Sequence, residues 1–211
     1  MQHIGRWTRP DIAHAVLQLA RQQSAPTKAD MASARRVLKY LKSNKYTIQY
    51  NITDSKGLHG YCDANFAQAS SARSVGGYVS FYGGAPVSWG SALQGLVTRS
   101  SLESEYVSLS DAAHEAVYLR TVLQFMGMPV TAPTIIYADN TGANSLASGE
   151  LSHRVPSISM QHYHYARQAV AAGDIVIKQI PTDDNVADIL TKDLERTKFI
   201  KFADAMLHKS N

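Results

Sequence analysis

Four acidic residues lie where the predicted elements of the chain can bring carboxylates together. They belong to a strand, the start of a long helix, the end of a second strand and the last predicted helix: Asp63, Glu105, Asp139 and Asp188. Hard divalent cations prefer carboxylate oxygens, and two such ions about 3.5–4 Å apart activate a water and stabilise the leaving oxygen of a phosphodiester. The set therefore predicts metal-dependent hydrolysis in which the carboxylates hold ions and form no covalent intermediate.

The first acid, Asp63, stands inside an apolar segment that predicts a strand over residues 58–66. Alternation along the strand puts Tyr61 on the same side as Asp63, with Cys62 and Ala64 on the other side. Ionised carboxylates are rare near a core unless they are paired or bound to a metal. Asp63 is therefore a candidate metal ligand, and an ion pair with a basic neighbour is the alternative.

The second acid is chosen by helical phase. The long helix predicted over residues 101–126 carries Glu103 and Glu105 in its first turns. Glu105 is three residues from Leu102 and four from Leu109, so it shares their inward flank, whereas Glu103 is rotated by about 200° from it. We therefore expect Glu105 in the site, and Glu103 in solvent or at the positive end of the helix dipole.

Asp139 and Asp188 share one alternative to a role as metal ligands: an acidic residue stabilises the start of a helix. Asp139 follows the apolar run 134–138, which is typical of a strand covered on both faces, and Asn140 can cap the helix after it. Open α/β sheets bind ligands beyond the carboxyl ends of their strands. Asp188 is predicted in the first turn of a closing helix near residues 185–207.

The other elements complete an α/β pattern. We predict helices over 10–23 and 27–43, strands over 58–66, 77–82 and 86–91, a helix over 101–126, a strand over 134–138, a helix after Asn140, a helix over 161–171, a strand over 174–180 and the closing helix. Three antiparallel strands followed by two further strands predict one mixed five-stranded sheet flanked by helices. Residues 1–50 form a helical N-terminal tether, and residues 51–211 form the domain.

The helix over residues 27–43 combines an apolar stripe with much of the positive charge. The stripe consists of Met31, Ala34, Leu38 and Leu41. The basic residues are Arg35, Arg36, Lys39, Lys42 and Lys45. With a formal net charge of +4 and a pI near 9.1, a polyanionic partner is plausible. The basic residues either follow a nucleic-acid backbone or form a solvated helix face.

Composition excludes several other classes of protein. The chain is 45% hydrophobic and 18% charged, which is typical of a globular domain, and no apolar stretch approaches the roughly 20 residues of a membrane helix. The single cysteine cannot form an internal disulfide, and the first residues do not resemble a signal peptide. We expect a soluble intracellular protein, in the cytoplasm, in virus-like particles or in the nucleus.

Taken in order, these motifs resemble the RNase H domain of copia-type long-terminal-repeat retrotransposon polyproteins. The matching segments are Gly60 to Asn65 (GYCDAN), Arg73 to Trp89, Ser100 to Tyr106 (SSLESEY), Tyr137 to Asn140 (YADN), and Ile180 to Thr182 leading into Ala187 to Lys192 (ADILTK). Upstream, Thr8 to Ile12 and Ala34 to Lys42 resemble the tether that joins reverse transcriptase to RNase H. The resemblance covers almost the whole chain.

The resemblance implies the RNase H fold, two Mg²⁺ ions per site with Mn²⁺ as a substitute, and endonucleolytic cleavage of the RNA strand of RNA–DNA hybrids during reverse transcription. It marks the same four acids as the metal-binding set. It also implies two partners, an RNA–DNA hybrid and the reverse transcriptase domain of the same polyprotein. Four residues are candidates for contact with the hybrid: Arg73, Gln94, Asn140 and His164. Surface or packing roles are the alternative for His164.

The chain departs from the family pattern at three places. Ala92 and Leu93 stand where two basic residues are expected, residues 157–160 lack a lysine-histidine-isoleucine-aspartate run, and residues 181–184 hold no histidine. A catalytically weak or inactive domain that binds nucleic acid is therefore one alternative. An integrase or transposase of the same broad fold is another, but its glutamate usually comes last, whereas here Glu105 is second and Asp188 is last.

Overall fold

The computed structural model describes residues 1–51, 53–54, 56–66, 73–128, 130–149 and 160–209, and gives only the backbone for 160–164. The helices are α1 Gln2–Trp7, α2 Ala13–Arg21, α3 Lys28–Ser43, α4 Ser101–Phe125, α5 Thr141–Ala147, α6 Met160–Ala171 and α7 Arg196–Met206. The strands are β1 Tyr46–Thr47, β2 His59–Asn65, β3 Val75–Tyr82, β4 Ala85–Leu93, β5 Thr134–Ala138, β6 Ile175–Gln179 and β7 His208–Lys209. Short 3₁₀ helices cover Pro10–Ile12, Thr182–Asp184 and Val186–Leu190.

The main sheet has five strands in the order β4-β3-β2-β5-β6. β2, β3 and β4 are antiparallel neighbours, while β5 runs parallel to both β2 and β6. The turn between β3 and β4 uses Gly83 and Gly84, whose φ angles are 63° and 73°, a backbone region that favours glycine. The predicted mixed five-stranded sheet is confirmed, and β2 lies at its centre.

Helices cover both faces of this sheet. One core lies under α4, α5 and α6 and includes Tyr106, Leu109 and Ile136, each fully buried. The other lies under the closing segment and includes Val79 and Leu190. The side chains of β2 alternate between the two cores, as predicted from the sequence. The central strand is therefore held from both faces, which fixes the position of every side chain along it.

The N-terminal segment packs against the sheet domain. The buried Arg9 and Asp11 form an ion pair at 2.7 Å, and the Tyr40 hydroxyl donates to the same carboxylate at 2.7 Å. The Trp89 indole N–H on β4 donates to the Gly5 carbonyl at 2.8 Å. β1 also pairs with β7 at the end of the described chain. The predicted division at residue 50 stays a prediction.

The apolar stripe predicted for α3 is wrong for Met31 and Leu38, whereas Leu41 packs against the N-terminal core as predicted. Met31 and Leu38 are each 53% exposed, whereas Val37 is buried. Tyr40 sets the rotation of the helix, because its hydroxyl binds Asp11 and its ring packs edge-on against Phe199 at 5.5 Å between centroids. The inward face is therefore centred nearer Val37 and Tyr40.

Other predicted bounds also needed correction. The closing helix predicted near residues 185–207 is wrong: a 3₁₀ helix covers 186–190, and the α-helix starts only at Arg196. The helix predicted over 10–23 begins as a 3₁₀ turn and continues as α2. Within the described ranges, no helix is both long and apolar enough to cross a membrane.

Candidate metal centre

Three of the four predicted acids meet at one edge of the sheet. One carboxylate oxygen from each of Asp63, Asp139 and Asp188 lies within 4.8 Å of the other two. Asp63 comes from β2, Asp139 follows β5 directly, and Asp188 belongs to the 3₁₀ helix Val186–Leu190. Asp63 and Asp188 are almost completely buried. The parallel pairing of β2 with β5 is what brings the first two of these residues to the same place.

A glycine on the neighbouring strand leaves room for the segment that carries Asp188. Gly77 of β3 lies opposite Asp63 in the β2–β3 ladder. A Cβ atom on Gly77 would lie 2.7 Å from Cγ2 of Thr191 and 2.8 Å from Cβ of Leu190, closer than real Cβ atoms approach their neighbours. The absence of a side chain at Gly77 therefore lets the closing segment pack directly on the sheet and carry Asp188 to Asp63.

Asn185 connects the three elements of this centre, and sequence reasoning missed it. Its side-chain oxygen accepts from the Ala187 N–H at 3.2 Å, which caps the 3₁₀ helix. Its amide nitrogen donates to the Cys62 carbonyl at 2.9 Å and to Oδ1 of Asp139 at 3.4 Å. The one sequence signal for it was its residue type, because asparagine is favoured at helix starts.

Asp139 is further oriented through its own backbone. The Gln179 amide donates to the Asp139 carbonyl at 2.5 Å, and Gln179 in turn accepts from the Asn144 amide at 2.5 Å. The side chain of Asn140 caps α5 by accepting from the Ala143 N–H at 3.0 Å, as its residue type predicted. The strand end that presents Asp139 is thus fixed by hydrogen bonds on both sides.

Glu105 lies outside the three-residue group but belongs to the same acidic region. Burial and the negative charges of Asp63 and Asp139 raise the pKa of Glu105 to about 9. Glu105 therefore lies near Asp63 and Asp139, and its role as a metal ligand stays a prediction. Glu103 is buried rather than exposed to solvent, and its carboxylate accepts from the Arg99 N–H at 2.7 Å beside the start of α4, which is the second of the two positions expected for it.

The acids carry more negative charge than their buried surroundings favour. Burial raises the pKa of Asp63 to about 6, with a further contribution from Asp188, although the nearby Lys192 opposes the rise. Like charges held together in this way need cations. The donor set is made of hard carboxylate oxygens, so the residues present fit Mg²⁺ or Mn²⁺.

Two lysines already pair with these acids, and sequence reasoning gave neither a role. Nζ of Lys192 lies 3.1 Å from Oδ1 of Asp63 and 2.9 Å from Oδ1 of Asp188. Nζ of Lys198 lies 2.9 Å from Oδ2 of Asp188, and the Thr191 hydroxyl donates to Oδ2 of Asp63. Burial lowers the pKa of Lys192, but the charges of Asp63 and Asp188 outweigh it, so the net pKa is raised.

Of the predicted substrate contacts, Gln94 is placed differently from expectation. Its side chain is buried, and its amide nitrogen donates to the Ser104 carbonyl at 2.7 Å and to the Ser108 hydroxyl at 3.2 Å. These bonds tie the end of β4 to α4. The amide nitrogen of Gln94 is therefore used by α4, and contact between Gln94 and the hybrid stays a prediction.

The other predicted substrate contacts stay predictions. Arg73 is exposed at the start of a described range. Asn140 is partly buried and uses its side-chain oxygen as a helix cap. The side chain of His164 and the segment 157–159 lie outside the described residues.

No protein-family model matches the chain. It is 36% identical over 203 residues to the retrovirus-related Pol polyprotein from transposon RE1 of Arabidopsis thaliana, covering 93% of this chain and 14% of that protein. It is 32% identical over 194 residues to the corresponding polyprotein from transposon TNT 1-94 of Nicotiana tabacum, covering 91% of this chain and 14% of that protein. The chain thus spans a small part of these relatives.

A solved structure resembles the sheet domain. The structure of LC11-RNase H1, isolated from compost by a metagenomic approach, superposes with a TM-score of 0.50 at 19% sequence identity, covering 64% of this chain and 93% of that one. This likeness shows the fold. Over most of its length the chain is therefore similar to a segment of retrovirus-related Pol polyproteins from transposons, and it has the RNase H fold.

Proposed function

We propose that this chain is the RNase H domain of a copia-type polyprotein and hydrolyses the RNA strand of RNA–DNA hybrids with two Mg²⁺ or Mn²⁺ ions. The observation that carries the proposal is the convergence of Asp63, Asp139 and Asp188, with Glu105 beside them. When bound, the ions would supply an activated water and stabilise the leaving oxygen.

The chain's own residues hold the carboxylates in place before any ion arrives. Thr191 orients Asp63, and Asn185 orients Asp139 while capping the turn that carries Asp188. Supporting hydrogen bonds of this kind typically change metal affinity or activity by 10- to 100-fold. Glu105 would lose a proton on joining the metal site, because metal binding requires the carboxylate form.

The proposed substrate is an RNA–DNA hybrid, and a basic stripe on α3 supports it. The stripe consists of exposed residues at helical spacing: Lys28, Arg35, Lys39 and Lys42. On a helix these positions fall within about 60° of one another, so their charges point the same way. Cations in such a row neutralise successive phosphates. A reverse transcriptase domain in the same polyprotein is the second proposed partner.

One observation favours a second candidate, a nucleic-acid-binding domain without catalysis. Lys192 and Lys198 already provide positive charge to Asp63 and Asp188. If these ion pairs persist in the presence of divalent ions, the site stays closed to metal. The chain would then bind a hybrid without cutting it.

A nuclease assay with the purified chain separates these candidates. End-labelled RNA–DNA hybrid, double-stranded DNA, double-stranded RNA and single-stranded RNA are incubated with Mg²⁺, with Mn²⁺ or with EDTA. The proposed function predicts cuts in the RNA strand of the hybrid that require the metal. Binding of the hybrid without cleavage in either metal would favour the second candidate. Joining of a DNA end to a target duplex would instead indicate an integrase or transposase.

A further inference from the structure

The two lysines beside the carboxylates differ in the acidic residues that they pair with. Lys192 bridges Asp63 and Asp188, with Nζ–O distances of 3.1 and 2.9 Å. Lys198 contacts the other oxygen of Asp188 at 2.9 Å and also reaches Asp183 at 3.2 Å. Lys192 is therefore the cation that lies between two of the proposed metal ligands.

The oxygens that Lys192 holds are the ones a metal ion would need. Oδ2 of Asp63 accepts a hydrogen bond from Thr191, so Oδ1 is the oxygen paired with Lys192. Both oxygens of Asp188 face ammonium groups. An ammonium at this distance repels a dication strongly in a partly buried site. An ion bound between Asp63 and Asp188 would therefore have to displace Lys192.

We propose that Lys192 is an internal counter-ion that occupies the metal site until a divalent ion displaces it. The inference rests on the proposed metal site. Buried carboxylates without a cation are strongly destabilising, and Lys192 provides that cation while the chain is metal-free. Its side chain is 31% exposed, and its flexible four-carbon stem gives it a path to solvent. Lys198 keeps a second partner in Asp183 and can stay in place.

Lys192→Met tests this role, because methionine keeps an unbranched apolar side chain and removes the charge. Mn²⁺ is titrated into the purified chain and followed by calorimetry. We expect the Kd for Mn²⁺ to fall by about tenfold, because the ion no longer has to break the hydrogen bonds between Lys192 and the carboxylates. A hydrogen bond to a charged group contributes at least the free energy that corresponds to a tenfold change in Kd. The metal-free variant should also melt at a lower temperature than the wild type.

Lys201→Met is the matched control. Lys201 lies on α7 like Lys198, but it pairs with Asp184 at 2.8 Å and contacts none of the clustered acids. Its removal changes the net charge of the chain by the same amount. The Kd for Mn²⁺ should therefore stay within about twofold of the wild-type value, because exposed ion pairs contribute little.

An unchanged or higher Kd for Mn²⁺ in Lys192→Met would overturn the inference and leave Lys192 as a structural ion pair. Absence of Mn²⁺ binding in both wild type and variant would overturn the proposed metal site, and the inference with it.

Reductive methylation of the wild type gives a readout that does not depend on how the variant folds. Mass spectrometry should find Lys192 protected in EDTA and modified when Mn²⁺ is present, and equal protection in both conditions would contradict displacement.

Discussion

Asp63 and Gly77 lie directly opposite each other in the β2–β3 ladder, and the missing side chain at Gly77 is what leaves room for the residues that complete the site beside Asp63. Leu190 and Thr191 fill that space. The position of Asp188 relative to Asp63 therefore depends on a residue that carries no functional group.

Gly77→Ala should weaken both the fold and the metal site. The added methyl overlaps Leu190 and Thr191, and overpacking of this kind costs about 1–3 kcal/mol of unfolding free energy. Urea denaturation measures that loss, and Mn²⁺ titration should show weaker binding. Gly95→Ala is the control, because a Cβ there meets no atom within 4 Å. Equal stability of the two variants would contradict the proposed role of Gly77.

Asn185→Ala should destabilise the metal-free chain. The substitution leaves the buried Cys62 carbonyl without the donor at 2.9 Å, and an unsatisfied buried acceptor costs about 1–3 kcal/mol. The Kd for Mn²⁺ should also rise, because Asp139 loses its contact with Asn185. A variant with wild-type unfolding free energy and wild-type metal affinity would show that Asn185 has no positioning role.

His59 should make the fold less stable in mild acid. Burial lowers the pKa of His59 below its ordinary value of 6.5, and its ring stacks on Phe81 with centroids 5.3 Å apart. As the pH falls below about 6.5 the unfolded chain takes up a proton that folded His59 resists, so the free energy of unfolding decreases. His59→Phe keeps the stacking and should reduce this slope between pH 7 and 5. Burial also lowers the pKa of His14, whereas the raised pKa values of Asp63 and Glu105 act with the opposite sign. The test is therefore the difference between variant and wild type, and an identical pH dependence in the two would contradict this account.

Neutralising the basic stripe should weaken hybrid binding without changing the chemistry. The triple variant Arg35→Gln, Lys39→Gln, Lys42→Gln should lower the slope of log affinity against log salt by about two, since each phosphate contact contributes about 0.7–0.9. Fluorescence anisotropy on a labelled hybrid measures the slope. A triple change to glutamine at the exposed Lys56, Lys178 and Lys209 removes the same charge elsewhere. Equal slopes in the two variants would indicate that the stripe is only a solvated face.

The parts of the fold that local pattern determines were predictable from the sequence. The strand 134–138 is an apolar run that ends at a polar pair, and its observed bounds agree with the prediction. Glu105 was separated from Glu103 by helical phase alone. Both features depend on residues close together in sequence.

The parts that depend on tertiary contact were not predictable. The segment VADIL suits an α-helix as well as a 3₁₀ helix, and its packing at Gly77 is visible only once the sheet has formed. The sequence indicates Lys192 only as part of the ADILTK motif. Its ion pair with Asp63 could not be predicted, because the two residues are far apart in the chain. The rotation of α3 likewise follows from the bond between Tyr40 and Asp11.

The most direct test of the proposed function is single-turnover cleavage of an RNA–DNA hybrid by Asp139→Asn. The wild type should cut the labelled RNA strand in Mg²⁺, and Asp139→Asn should lower the rate by at least about a hundredfold, since loss of a metal ligand exceeds the effect of losing a supporting residue. Asp193→Asn is the control, because that side chain is 98% exposed and lies outside the carboxylate cluster. Circular dichroism should show that all three proteins are folded. Cleavage by Asp139→Asn at the wild-type rate would contradict the assignment of this site.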